Sequence, residues 1–457
     1  METIAACVPI YGATALIPYV TELFDALKIE IFHATDSALE DAALAAMHRI
    51  VATLSTGISI TAVGDPTEKA LKPLITECMV NLKEPEAKNL KPAGRILRAA
   101  ASASDPACNA IVNAAVPILL RQCKESDLAT RKKAILDVLL EFLEASRTLY
   151  GSIDDTNDGT RKRKRDPISL SPSLGRRVVV APSLSRLPSH SFSPFTVSSA
   201  DQDFVTPLLT YKDRFFEAFG GALMASNEYN ALRLTGLKGL RLMTLLRQYL
   251  SINEVGIAVQ SFDQILLDVD DVELRTEALK SLYMIAHHRP APLLESTIPS
   301  LVAQLPDSLD DPAVSHRSYE KTLHALGELA VEPALFAITI PELLKKLDRV
   351  SNTGSVNNSA YPHAILFTVL AVLNIKLAQA HADVGPCITT IVPRLVTKSV
   401  ELATSDLEED SVWRDVATLQ IVANIVAVVL RHLDVSYVVM YSLDFGLLFQ
   451  FPPEFDT

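Results

Sequence analysis

The residues of this chain that could do chemistry are few, and its five cysteines are the first candidates. Cys7, Cys78, Cys108, Cys123 and Cys387 stand apart, with no C-x-x-C pair and no histidine at the offset that zinc sites use. We therefore interpret them as reduced, mostly buried small hydrophobic residues of a cytosolic or nuclear protein. A reactive thiol or a shared metal ligand is the alternative.

Other chemical signatures are weak. The sequence contains no G-x-G-x-x-G, Walker, H-E-x-x-H or G-x-S-x-G motif. His287 and His288 end a helical pattern, where the helix dipole favours a cation, and they lack further metal ligands nearby in sequence. Gly236 and Gly239 lie on a helical stripe, which predicts close helix packing. We therefore predict no catalytic, cofactor-binding or metal-ligating residues, no cofactor and no enzyme activity.

Composition favours helices packed on helices. The 457 residues are 49% hydrophobic and only 6% aromatic, so the chain can bury a large core but has few of the rings that fill β-sandwiches and enzyme pockets. The formal net charge of −12 disfavours nonspecific binding to a phosphate backbone. The start, METIAACVPIYG, lacks a basic leader, and the apolar stretch 416–430 is too short and too polar for a membrane span.

A recurring proline indicates a repeated building unit. Six apolar, helix-like stretches carry a proline in matching surroundings, and several follow one another at intervals of about 40–50 residues. They are IPYVTELF at 17–24, KPLITECM at 72–79, VPILLRQC at 116–123, IPSLVAQL at 298–305, IPELLKKL at 340–347 and VPRLVTKS at 392–399. Proline inside a helix costs about 3 kcal/mol and bends it, which stacked neighbours can offset. Alternatively, each proline occupies a first helical turn, where it costs little.

The hydrophobic periodicity predicts an all-α solenoid of HEAT/armadillo-type helical hairpins, about eight in number. We predict helix pairs near 15–33 with 37–54, 67–82 with 86–103, 106–122 with 127–149, 211–225 with 228–250, 252–268 with 271–288, 292–305 with 314–331, 334–350 with 360–380, and 386–403 with 410–432. The spacings Ser37-x-x-Glu40 and Ser251-x-x-Glu254 predict capping boxes.

These patterns divide the chain into four parts. Residues 1–150 and 208–435 form two blocks of HEAT-type repeats, separated by a Ser/Pro-rich stretch at 151–207 that we predict to be disordered. The run Arg161 to Arg165 (RKRKR) in that stretch is either a nuclear-import signal or a solvated charge run. Residues 436–457 form an atypical tail, rich in Phe, Leu and Tyr, that does not resemble a polar terminal repeat.

Acidic residues gather at the predicted turns within hairpins. Such turns line up along one edge of a solenoid, so the acids predict a negative stripe that could attract a basic partner. Alternatively, each acid caps a helix and complements its dipole. The residues are Asp268, Asp270, Asp271 and Glu273, then Asp307, Asp310 and Asp311, then Asp406, Glu408, Glu409 and Asp410.

Longer runs of sequence carry a family resemblance. The segments CVPIYG at 7–12, LKEPEAKNLKPAGRILRAAASASDPACNAIVNAAVPILLRQC at 82–123 and RKKAILDVLLEFL at 131–143 resemble the methyl-methanesulfonate-sensitivity HEAT-repeat protein family. NEYNALRLTGLKGLRL at 227–242 and VGIAVQSFDQILLD at 255–268 resemble its fungal branch. The chain departs from the family in lacking its N-terminal repeats, in ending before its final repeats, and at 166–206, which have no counterpart there.

The resemblance implies a non-catalytic adaptor of cytosolic iron–sulfur protein assembly, found in nucleus and cytoplasm. Family members join a β-propeller subunit and a small cluster-transfer subunit, and they present apo helicases, polymerases and primase of DNA repair, replication and transcription for cluster insertion. It implies partners that are proteins, with no direct nucleic-acid or membrane contact and no cluster ligands in this chain. The alternatives are a helical-repeat nuclear-transport carrier, which the acidic edge suggests, and a general protein-interaction scaffold.

Overall fold

The computed structural model describes residues 1–56, 66–84, 88–153, 205–307, 316–353, 359–379, 381–404 and 412–431. Within these ranges the chain forms seventeen α-helices and no β-strand, apart from one isolated bridge between Ser152 and Leu246. The predicted all-α solenoid is confirmed.

The helices alternate between two layers. The odd layer comprises α1 (Glu2–Leu16), α3 (Ser37–Thr56), α5 (Leu90–Ala101), α7 (Ala129–Tyr150), α9 (Asn230–Leu245), α11 (Val272–His288), α13 (His316–Leu329), α15 (Ala360–Ala378) and α17 (Val416–Arg431). The even layer comprises α2 (Val20–Phe32), α4 (Pro66–Leu82), α6 (Asp105–Glu125), α8 (Lys212–Leu223), α10 (Ile252–Asp268), α12 (Ile298–Gln304), α14 (Pro333–Thr353) and α16 (Cys387–Thr404). Along the odd layer, each helix packs on the next odd-numbered one.

An aliphatic seam between the layers holds the array together. In α7 the predicted stripe of Ile135, Val138, Leu139, Phe142 and Leu143 is buried. Buried residues from all along the array join one continuous hydrophobic cluster. Isolated helices of this length are marginal in water, so each unit derives its stability from stacking.

The two repeat blocks form one array. Helices α7 and α9 pack against each other, although residues 151–229 separate them in sequence. The hydroxyls of Ser146 and Thr206 lie 3.0 Å apart, at hydrogen-bond distance, and the Ser152 hydroxyl donates to the Leu245 carbonyl at 3.2 Å. The stack therefore continues across the interruption. The Arg161–Arg165 run and the tail at 436–457 lie outside the described residues, and the predictions for them stand untested.

The six prolines all lie in segments of the even layer. Some lie inside a helix and others in a first helical turn, so each of the two interpretations holds at some positions. Pro73, Pro117, Pro341 and Pro393 lie inside α4, α6, α14 and α16. Pro18 and Pro299 instead occupy first turns, Pro18 in the 3₁₀ turn Ile17–Tyr19 and Pro299 after the π-turn Leu293–Thr297.

The odd layer is the inner side of the array. Its helices contact one another over more of their length, on the whole, than those of the even layer do. In a curved stack the inner helices are crowded and the outer ones spread apart. The interior prolines therefore lie in the outer helices, where a bend lets a helix follow the curvature.

Two local features differ from the predictions. A helix that was not predicted, α1, precedes the first predicted pair; it begins at Glu2 and is interrupted at Gly12, whose φ is 74°. At α3 the predicted Ser37–Glu40 capping box is absent. Ser37 is already helical, Asp36 accepts the Ala38 amide at 3.2 Å, and Glu40 pairs with Arg95 of α5 at 2.5 Å. A long-range ion pair thus replaced the local cap. The Ser251–Glu254 box is present at α10.

Gly236 and Gly239 lie where α9 crosses α8. A Cβ at Gly236 would meet the backbone nitrogen of Leu223 at 2.6 Å and the Phe219 carbonyl at 2.7 Å, and one at Gly239 would meet the Phe219 ring at 2.1 Å. The prediction of close helix packing is confirmed: the approach of the two backbones requires Gly236, and Gly239 leaves room for the Phe219 ring.

Gly236→Ala should destabilise the array. The methyl group must displace backbone rather than a flexible side chain, which typically costs about 1–3 kcal/mol. Gly220→Ala in α8 is the control, because a Cβ there meets nothing within 4 Å and alanine favours helix by up to about 1 kcal/mol. The measurement is urea unfolding followed by circular dichroism. An equal urea midpoint for the two variants would contradict the expected destabilisation by Gly236→Ala.

Glu254 should contribute a pH-dependent part of the stability. Hydrogen bonds from Lys212 and then Ser251 lower its pKa from 4.5 to about 2. Its contribution is therefore full above about pH 4.5 and is lost as the pH falls towards 2. Glu254→Gln should lower the unfolding midpoint at pH 7, and the gap to wild type should shrink below pH 4.5. Glu125→Gln, at an exposed position without an ion pair in the described chain, is the control; a pH-independent gap would contradict the assignment.

Candidate functional site

The cysteines are placed for packing rather than reactivity. Cys78, Cys108, Cys123 and Cys387 are buried and free, and Cys7 is half-buried. Desolvation raises the pKa of Cys78 to about 12 and those of Cys108 and Cys387 to about 11, so these thiols are protonated at neutral pH. The interpretation as reduced, buried residues is confirmed for these four.

The histidine pair serves a contact between repeats. His287 Nδ1 lies 2.8 Å from the Glu332 carboxylate, and the His287 and His288 rings meet edge-on at 4.6 Å. Among the residues that the structure describes, no three His, Cys, Asp or Glu side chains converge on a point where they could hold a metal. The pair therefore links α11 to the start of the α14 unit.

Among the described acidic turn residues, Asp271 caps its own helix, and Asp270 and Asp307 each pair with a lysine of a following repeat. Asp271 caps α11, accepting the Leu274 amide at 2.9 Å, which confirms the capping interpretation there. Asp270 pairs with Lys321 at 3.0 Å and Asp307 with Lys346 at 2.7 Å. These pairs interrupt the predicted negative stripe. Asp310, Asp311, Asp406, Glu408, Glu409 and Asp410 lie outside the described residues.

A groove between α13 and α15, on the inner layer, is the strongest candidate for binding. It encloses about 330 Å³, with a floor that includes Leu323, Gly327 and Val372. Gly327 permits the two helices to approach, since a Cβ there would lie 3.2 Å from the Thr368 methyl group. Neither the groove nor its residues were predicted from sequence.

The two walls of the groove differ in chemistry. On α13, Glu320, His324 and Glu328 are spaced by four residues and exposed on one helical face. On α15, the residues at the same spacing are apolar: Phe367, Ala371 and Ile375. Phe367 is 56% exposed and Ile375 is 37% exposed. The groove therefore presents an acidic row beside an apolar row.

The acidic row carries uncompensated charge. Within the described part of the chain, neither Glu320 nor Glu328 has a cation at ion-pair distance, whereas Glu332 is paired with His287. Burial, followed by the charges of Glu332 and Glu328, raises the pKa of the neighbouring Tyr283. A cationic side chain of a partner would meet a favourable field here.

Helix α15 is held rigidly in place by polar contacts at both ends. Lys376 is fully buried; its ammonium donates to the Val331 carbonyl at 2.8 Å and lies 2.6 Å from the Asp383 carboxylate. At the other end, Tyr361 donates to the Pro306 carbonyl at 3.2 Å, and His363 lies 2.9 Å from Asp415. The groove is thus preformed, which limits the ordering cost of binding.

Two helical stretches have the length and hydropathy of a membrane span, Ala360–Ala378 and Glu2–Phe32. The first is α15, which packs between α13 and α17. The second is broken at Gly12 and again at the 3₁₀ turn Ile17–Tyr19.

Comparison with known proteins points to one family. The family described as "RNAPII transcription regulator C-terminal" (MMS19_C) matches residues 322–450. The "MMS19 nucleotide excision repair protein homolog" of Mus musculus is 23% identical over 445 residues, covering 95% of this chain and 38% of that protein. The "DNA repair/transcription protein mms19" of Schizosaccharomyces pombe is 28% identical over 153 residues, 33% of this chain and 15% of that protein. The chain thus spans well under half the length of the curated relatives it matches.

Among solved structures, similar chains are helical-repeat proteins. Importin beta in an ammonium sulfate condition is 12% identical, with a TM-score of 0.37 over 92% of this chain and 49% of that one. A structure of Kap95p bound to RanGDP is 12% identical, with a TM-score of 0.32 over 93% of this chain and 54% of that one.

Phe367→Ala should leave stability nearly unchanged, because the ring is more exposed than buried and surface substitutions usually stay within about 0.5 kcal/mol. Leu366→Ala, one residue earlier and fully buried, should cost about 2–5 kcal/mol. The measurement is the thermal unfolding midpoint of each variant. A small decrease indicates a side chain that is available for binding, and a large decrease indicates one that is required for packing. An equal loss in both would show that Phe367 serves the core.

Proposed function

We propose that the chain is a member of the MMS19 family of DNA repair and transcription proteins and that it is a non-catalytic scaffold whose groove between α13 and α15 binds a protein partner. The groove supports this proposal because it combines shape, exposed apolar surface and unpaired charge on rigid helices. Its walls lie almost entirely within residues 322–450, the part that matches the family's C-terminal region.

We propose that the occupant is an amphipathic helix of the partner. Phe367, Ala371 and Ile375 offer apolar contacts over two turns, which suits a helix that presents its own residues at three- and four-residue spacing. The acidic row of Glu320 and Glu328 would pair with Lys or Arg at one side of that helix. Charge complementarity of this kind favours fast association and a fixed orientation.

The finer role we propose is that of the targeting subunit of cytosolic iron–sulfur protein assembly. The sequence resemblance at 82–123, 131–143, 227–242 and 255–268 supports it. In this role the chain joins a β-propeller subunit and a small cluster-transfer subunit, and it presents apo DNA-repair, replication and transcription enzymes for cluster insertion. The clusters are cargo of the assembly, and no residue of this chain is proposed to ligate them.

We further propose that the protein works in both nucleus and cytoplasm. The names of its relatives, which refer to nucleotide excision repair and transcription, support the nuclear part. The Arg161–Arg165 run is a candidate import signal. The cytoplasmic part follows from the proposed assembly role.

Glu328→Lys should weaken the capture of assembly subunits. Reversing one charge of the acidic row replaces attraction by repulsion, and we expect about a tenfold loss of affinity, or about 1.4 kcal/mol. The measurement is co-purification of the β-propeller and small cluster-transfer subunits with the tagged full chain. Asp41→Lys is the control, with an equal charge change on the exposed face of α3, where Asp41 has no ion pair in the described structure.

Recovery of both subunits with Glu328→Lys at the wild-type level would rule out the groove as their binding site. Recovery of neither subunit with the wild-type chain would contradict the assembly role. Nucleotide-dependent binding to a small GTPase, in place of the assembly subunits, would favour the nuclear-transport alternative.

A further inference from the structure

A second cavity lies on the outer layer, where α6 and α8 stand side by side. It encloses about 720 Å³ and is bounded by the last turns of α6, the first turns of α7, and α8. Small residues of α8, including Ala218, Gly221 and Ala222, face it in place of larger side chains. The cleft exists because these side chains are too small to fill the space between the helices.

Cations dominate the rim of this cleft. Arg121 and Lys124 come from α6, Lys132 from α7 and Arg214 from α8, with Glu217 as the single carboxylate. None of the four cations has a carboxylate within ion-pair distance in the described part of the chain, although ion pairs are frequent elsewhere in the array. Four positive charges are thus gathered in one cavity of a protein whose net charge is −12.

The floor of the cleft is apolar. Leu120, Leu136 and Leu232 line it, together with Pro117 and the buried Cys123. A site that combines an apolar floor with a ring of charges favours a ligand of mixed character, with apolar groups inside and charged groups at the edge. A purely ionic ligand would leave the floor unused.

We propose that this cleft binds a short acidic segment of a partner protein, with aspartate or glutamate side chains flanking one or two apolar residues. The apolar residues would pack on Leu120, Leu136 and Leu232, and the carboxylates would pair with Arg121, Lys124, Lys132 and Arg214. Arginine can bind a carboxylate bidentately, which adds geometric specificity. The chemistry is opposite to that of the α13–α15 groove, which attracts cations.

An acidic peptide fits the cleft better than nucleic acid does. Binding to a phosphate backbone requires an extended basic track, whereas these cations are confined to one cavity. The cleft also lies on the other layer and in an earlier repeat than the groove proposed above. The two sites can therefore be tested separately.

The test uses fluorescence anisotropy with the full chain and three labelled probes. The first is a ten-residue peptide that alternates Asp or Glu with Leu and Phe, the second has Asn and Gln in place of its acids, and the third is single-stranded DNA of equal negative charge. The double variant R121E/K124E removes two exposed rim cations. K69E/K72E, which makes the same charge change on exposed residues of α4, is the matched control.

We expect the acidic peptide to bind wild type and to lose at least tenfold in affinity with R121E/K124E but less than twofold with K69E/K72E. The neutral peptide and the DNA should bind at least tenfold more weakly than the acidic peptide. An equal loss of affinity for the acidic peptide in both variants would show that binding depends on the overall charge of the protein and not on this cleft, and would overturn the proposal. Tighter binding of the DNA, or no binding of the acidic peptide to wild type, would overturn it as well. Glu328→Lys should leave this binding unchanged, which separates the result from that of the groove.

Discussion

Every helix of this chain depends on its neighbours to cover an apolar stripe. The buried aliphatic residues of α7 are covered by α5, α6 and α9, and those of α15 by α13, α14 and α17. Burial of apolar surface contributes about 25 cal/mol per Å² to stability. A single hairpin buries too little of this surface, because each of its two helices has only the other to pack against. This dependence explains why α7 and α9 stack directly although residues 151–229 separate them in sequence.

The same dependence explains where the chain tolerates unfavourable features. Proline in the interior of α4, α6, α14 and α16 removes a backbone hydrogen bond, yet packing on both sides holds these helices in place. Lys376 is fully buried, and its cost is offset by a carbonyl, a carboxylate and the Phe336 ring at 4.6 Å. Lys376 belongs to α15, one wall of the candidate groove, and Pro341 lies in α14, which packs against α15.

An array built in this way leaves its function to its surfaces. The inner layer presents the α13–α15 groove, with an acidic row and an apolar row, and the outer layer presents the α6–α8 cleft, with cations around an apolar floor. Both sites are formed by helices held in place by packing, so binding a partner costs little conformational entropy at the site. A protein with two sites of opposite charge can bring two different partners together, which is the physical basis of a scaffold.

The all-α architecture, the helix pairs and the positions of the proline-bearing units could be predicted from the sequence, because periodicity and stop signals are local properties of the chain. The sequence also indicated the packing role of Gly236 and Gly239 and the buried state of most cysteines. The family resemblance came from long runs such as 82–123. Local signals failed where a distant residue competed, as Arg95 does for Glu40.

Which surface residues come together depends on how the repeats stack. Glu328 and Phe367 are 39 positions apart in sequence and belong to different hairpins, and Arg121 and Arg214 are separated further still. In the sequence, each of these residues is a single charged or apolar residue on a helix. Local periodicity does not show which face of one repeat meets the next, so it cannot show that these residues become neighbours. The stacking geometry sets those faces side by side, and the two candidate binding sites follow from it.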